Sequence, residues 1–149
     1  MYTVIRMMLT TVFLSAVLSA KMSYADPQPT FDNPRKVIMR LTGKEVHEAN
    51  HLIGTINNIL KEYPREALQV AIIVYGPGMW VLRRDYDAPT RKRLRSLQMY
   101  DVEIVGCLNT MQTMGWTQKD FLDGIDYVQA GVAEAIERQV AGWIDATPY

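Results

Sequence analysis

The chain has 149 residues, with 16 Lys and Arg against 16 Asp and Glu, 48% hydrophobic residues, one Cys and two His. That balance excludes collagen-like, low-complexity and strongly acidic or basic classes and predicts one compact domain. From Asp26 onward, with Arg6 and Lys21 set aside, 14 basic residues face all 16 acidic ones for a formal charge of −2, and nothing points to nucleic acid as a partner.

The first 25 residues differ from that average. Met1 to Arg6 carries a positive charge, Met7 to Ala20 is an apolar stretch of 14 residues, and Ser23-Tyr24-Ala25 has the small-x-small form of a cleavage site. Residues 1–25 read as a secretory signal peptide cut between Ala25 and Asp26, which places the protein in the periplasm or outside the cell. The apolar stretch is shorter than the roughly 18 residues a spanning helix needs, so no stable membrane insertion is expected after cleavage. Residues 26–35, with Pro27, Pro29 and Pro34, read as an extended leader, and residues 36–149 as the domain.

Lys36 to Leu41 is a short, nearly continuous apolar run, as expected of a strand covered on both faces. Thr42 and Glu45 have capping-box spacing, and Val46, Ala49, Ile53, Ile56 and Leu60 recur at helical spacing until Pro64. Leu68 to Tyr75 predicts a second strand, broken by Gly76-Pro77-Gly78, with a short helical piece through Leu82. Pro89 opens a helix with Leu94 and Leu97 inward, Val102 to Val105 is a third strand, and Cys107 stands just past it. A short helix from Leu108 ends at Gly115, Thr117 to Asp120 caps a further turn, Ile125 to Ala130 is a fourth strand and Val132 to Ile144 a closing helix. Strands alternating with helices predict an α/β protein with a parallel sheet between helical layers, because parallel neighbours require crossover connections.

Cys107 is the first candidate for chemistry. It lies where a parallel strand gives way to a helix, the sheet edge at which ligands collect, and a thiol there meets backbone donors that favour the nucleophilic thiolate. A lone Cys in an exported chain is otherwise a buried packing residue or is paired to another molecule. Gly76-Pro77-Gly78 occupies the equivalent edge, where glycines let backbone N–H groups approach an anion; the plain alternative is a tight turn, and no nucleotide-binding pattern accompanies it.

His47-Glu48-Ala49-Asn50-His51 matches H-E-x-x-H, which on a helix sets two imidazoles on one side. The helical spacing turns them away from the apolar face, no third His exists, and Glu45 is charged where zinc proteases carry an uncharged residue. A polar face of His47, Asn50, His51, Gly54 and Asn58 in solvent or at a subunit contact is expected, with no metal. Arg83, Arg84, Arg91, Lys92, Arg93 and Arg95 form a basic cluster that reads as a solvated helix face. Trp80, Trp116 and Trp143 read as core or interface residues rather than a stacking platform.

From Lys36 onward the chain resembles the DsrE/DsrF-like family of small α/β proteins connected with sulfur relay and sulfur oxidation. The carriers of the resemblance are Val37 to Thr42, Ile56 to Leu60, Val74-Tyr75-Gly76-Pro77-Gly78-Met79, Gly106-Cys107-Leu108-Asn109-Thr110-Met111 and Val128 to Glu134. The resemblance implies a three-layer α/β/α sandwich with a mostly parallel sheet of four to five strands, a homo-oligomer (trimer or hexamer) and a persulfide carried on Cys107. Tyr75 stands where relatives with Gly-Pro-Gly often have His, so no base beside the thiol is implied. On this reading the protein is a periplasmic sulfur carrier or sulfurtransferase. Its partners are a sulfur donor and an acceptor thiol or protein, and it needs no cofactor. Gly76, Gly78 and Asn109 would stabilise the anion on Cys107. A non-catalytic oligomeric or small-ligand-binding module of the same fold is the alternative.

Overall fold

The computed structural model describes residues 22–148, so most of the expected signal peptide, residues 1–21, lies outside the described residues. Five strands, β1 (Arg35–Leu41), β2 (Leu68–Val74), β3 (Glu103–Cys107), β4 (Asp126–Val128) and β5 (Ile144–Asp145), form one sheet in the order β4-β3-β2-β1-β5. Every pairing is parallel. The four α-helices are α1 (Val46–Glu62), α2 (Ala88–Met99), α3 (Leu108–Met114) and α4 (Gly131–Val140).

The order of the strands dictates the layers. Steps from β1 to β2, β3 and β4 all move the same way across the sheet, so right-handed crossovers put α1, α2 and α3 on one face. The return from β4 to β5 runs the other way and carries α4 across the opposite face. Alternate residues of each strand serve the two layers. Val37, Met39, Val70, Ile72 and Ile104 face the larger core with Ile53, Leu94 and Phe121, whereas Ile38, Ala71, Ile73 and Val105 face Ala135 of α4. Burial on both faces is why the strands read as unbroken apolar runs. The result is the expected three-layer α/β/α sandwich, and no helix among the described residues is long and apolar enough to cross a membrane.

Several boundaries differ from the sequence reading. α1 starts one turn later than the Thr42–Glu45 box predicts: Glu45 is the N-cap, and Glu48 reaches back to accept from its N–H at 3.2 Å. The closing helix stops at Val140, and Gly142, at φ +89°, turns the chain so that Ile144 and Asp145 pair with Val37 and Ile38 as a fifth strand. Asp145 then pairs with Arg40 at 2.8 Å, and Thr147 accepts from the Arg40 N–H at 2.8 Å, fastening the tail along β1.

Gly78 belongs to this framework. It is buried, and a Cβ built there would lie 2.1 Å from the Leu41 carbonyl oxygen, so β1 and the turn after β2 meet only because the side chain is missing. The obstacle is backbone, which cannot rotate away. Gly78→Ala is therefore expected to cost about 2–3 kcal/mol and to lower Tm in thermal melts followed by circular dichroism.

Candidate functional site

The carboxyl ends of β3 and β4 are adjacent, with Cys107 opposite Val128, yet the chain leaves them in opposite directions, to α3 on one face and α4 on the other. Such a divergence opens a crevice at the sheet edge. Cys107 ends β3 and is the N-cap of α3, so it lies where the two paths part, and its side chain is buried there. Its backbone N–H donates to the Met79 sulfur at 3.4 Å, and its thiol faces the Gln129 carbonyl at 3.7 Å.

Burial alone would push this thiol up, since Cys107 is only 5% exposed. The N–H of Gly131, the hydroxyl and N–H of Thr110 and the N–H of Asn109 outweigh that effect and hold it below its usual range. Each donor has a structural origin. Gly131 is the first residue of α4, whose opening amides have no partner inside the helix. The Thr110 hydroxyl accepts from the Gly76 N–H at 3.0 Å, which leaves its own proton free for another acceptor. The Asn109 N–H also donates to the Gln129 carbonyl at 3.0 Å, and the Asn109 side chain accepts from the Gln129 amide.

Gly131 also fits closely against its neighbours. A Cβ would lie 3.0 Å from Tyr75 Cβ and 3.4 Å from Cys107 Cβ, so Tyr75, Gly131 and the cysteine are closed around one another. Tyr75 is half-buried just past the end of β2, and its hydroxyl helps to hold the Arg40 guanidinium above its usual range.

Of the residues expected to surround the thiolate, Asn109 contributes through its backbone. Gly76, at φ +57°, contributes indirectly by orienting Thr110, and Gly78 is spent on packing against β1. Gly131 and Thr110 carry part of the family resemblance in the sequence but have no expected role at the site. The available signal was a glycine opening a helix directly after a strand, and a hydroxyl three residues beyond the cysteine.

The other candidates lie elsewhere. His47 and His51 line a cleft of about 250 Å³ with Arg40, Glu48 and Thr147, and no group of three His, Cys, Asp or Glu among the described residues could hold a metal ion. Asn50 is not on a free polar face: it donates to Thr90 at 3.1 Å and accepts from Arg93, joining α1 to α2. The basic cluster is dispersed, with Arg83 on Asp85 at 2.8 Å, Arg84 on Asp123 at 2.5 Å and Arg91 on the Tyr86 carbonyl at 2.9 Å. Trp80 and Trp116 meet edge to face at 4.8 Å and wall a groove of about 440 Å³ whose floor includes Gly76, Asn109 and Thr110.

The fold is similar to that of the solved structure of MTH1491, a protein of unknown function from Methanobacterium thermoautotrophicum. The TM-score is 0.71 at 26% sequence identity, over 76% of this chain and 99% of that one. No family model matches the chain, and no curated protein matches it.

The donors make a pH prediction. Alkylation of Cys107 by iodoacetamide, followed by mass spectrometry across pH, should rise with a midpoint below that of free cysteine, and Thr110→Val should move the midpoint up. A wild-type midpoint at or above the free value would remove the donor argument. The linkage sign follows: with the folded pKa below the unfolded one of about 8.5, the thiolate adds stability above that pH, and the gain is lost as pH falls through the folded pKa.

Proposed function

We propose that this protein is an exported, periplasmic sulfur carrier or sulfurtransferase of DsrE/DsrF-like type that holds sulfur as a persulfide on Cys107. The observation carrying this reading is that the only cysteine of the chain ends β3 where the chain leaves β3 and β4 for helices on opposite faces of the sheet, beside Gly131 at the start of α4, and that nearby amides and the Thr110 hydroxyl hold its thiol below the usual range. The Cys107 thiolate attacks the outer sulfur of a sulfane donor, the donor's S–S bond breaks, and the remainder leaves with the electron pair, as sulfite from thiosulfate, a shorter polysulfide anion from polysulfide or a sulfinate from a thiosulfonate. An acceptor thiolate then attacks the outer sulfur held on Cys107, and the Cys107 thiolate departs in its original state. No oxidant or reductant is consumed in either step. The donors that favour the thiolate also favour the persulfide anion and the thiolate leaving group.

The alternative reading, a non-catalytic module with Cys107 as a packing residue, is favoured by its 5% exposure. One variant separates the two. Mature protein incubated with polysulfide or thiosulfate is expected to gain one sulfur on Cys107 that a reductant removes, and Cys107→Ser to gain none. A serine hydroxyl would find the Gln129 carbonyl and the same N–H donors, so its stability cost should stay within about 1 kcal/mol. A marked fall in Tm for the variant, with no sulfur taken up by the wild type, would leave the packing reading standing.

A homo-oligomer, trimer or hexamer, is part of the same proposal. Its support is the outer ridge of α4, where Val132, Ile136 and Val140 are 52%, 54% and 79% exposed at successive turns. Light scattering at micromolar concentration should give a multiple of the monomer mass, and Ile136→Glu should shift it toward the monomer. A wild-type monomer would count against assembly.

A further inference from the structure

The groove between the turn after β2 and α3 has features that the carrier reading does not use. It is lined by Trp80, 38% exposed, and Trp116, with Pro77 and Met114 beside them. The aromatic pair is held rigid from behind: the Arg83 guanidinium lies 5.2 Å from one ring centroid and 5.0 Å from the other, and is itself fixed by Asp85 through contacts of 2.9 and 2.8 Å. Lys44 lines the same groove and forms no ion pair among the described residues. Gly76, Asn109 and Thr110 line it too, the last two in the first turn of α3, which Cys107 caps. An apolar, aromatic-walled space with one cation, bordered by Asn109 and Thr110 two and three residues beyond Cys107, has the form of a binding site for an organic anion.

We propose that this groove binds the apolar body of an aromatic or similarly flat organic sulfane donor, such as a thiosulfonate, with its ionised head toward Thr110 and Cys107. The proposal rests on the carrier reading and names its substrate class: an organic donor, in preference to inorganic thiosulfate, which has nothing to lay against the tryptophans. With an aryl thiosulfonate the step balances. The Cys107 thiolate attacks the terminal sulfur, the S–S bond to the sulfonyl sulfur breaks, and aryl sulfinate leaves with the electron pair, giving the Cys107 persulfide anion. One negative charge stays on the protein and one departs, and Lys44 faces the charge carried by the sulfinate.

Two measurements test it. In the first, sulfur loading of Cys107 is titrated with benzenethiosulfonate and with methanethiosulfonate, which share the reacting S–S bond and differ in the body. Half-saturation is expected at least tenfold lower for the aromatic donor, and Trp80→Ala should reduce that ratio to about twofold or less. In the second, benzenesulfinate, the leaving product, is titrated into Cys107→Ser while tryptophan fluorescence is followed, with saturable quenching expected. This variant retains both groove tryptophans, so its result does not depend on the folding of Trp80→Ala. Equal half-saturation for the two donors together with no quenching would overturn the groove proposal and leave the carrier reading intact. Quenching without sulfur loading from either donor would overturn the carrier reading and leave the groove as a site for organic anions. Neither loading nor quenching would overturn both.

Discussion

The divergence of the chain after β3 and β4 is the constraint on which the rest of the molecule depends. Parallel neighbours need crossovers, and crossovers of one hand moving one way across a sheet stack their helices on one face. Four strands laid down in a single direction would leave the other face bare. The return to β5 beside β1 resolves this by carrying α4 across the uncovered face, so that α3 and α4 separate where β3 and β4 lie side by side. A crevice there follows from the topology. Its position at the end of β3 places Cys107 between two helix starts.

Burial and a lowered thiol pKa, usually opposed, coexist at this position because the desolvation is offset by donors already ordered on folding. The groups acting on the sulfur are amides and a hydroxyl, none of them a charged partner. A thiolate held by short-range dipoles within a buried site is weakly screened by salt, unlike one held by a surface lysine or histidine. The same arrangement suits the glycine at position 131, since even a methyl there would press on Tyr75, which would have to shift by a few tenths of an ångström.

α4 performs this task with little apolar anchorage of its own. Gly131 and Ala135 are its buried residues, and three larger aliphatics point outward. What holds it on the sheet is Arg138, which pairs with Glu103 of β3 through two contacts of 2.7 Å, with Glu134 at 2.7 Å, and lies 4.7 Å from the Trp143 ring centroid. A two-pronged guanidinium–carboxylate pair fixes rotation as well as distance. The Gly131 amide therefore faces the crevice in a defined orientation, while the outer ridge remains available for contact.

Much of this was legible in the sequence, because it depends on residues near one another in the chain. The apolar runs of β1 and β2 announce strands buried on both faces, Pro89 and the Leu94–Leu97 spacing locate α2, Gly115 ends α3, and a cysteine between a strand and a helix marks the sheet edge. Features set by distant partners were not legible. β5 is two residues long and exists only because β1 offers a free edge; Asn50 has a polar identity but an internal partner, Thr90, 40 residues away. The amide that most favours the Cys107 thiolate comes from Gly131, in a different helix on the opposite face of the sheet, and the groove beside it needs Trp80 and Trp116 brought to 4.8 Å. Residue type and local spacing determined which side chains could carry chemistry. Which of them meet was decided by the crossovers, since only the folded path brings groups so far apart in sequence within reach of one sulfur atom.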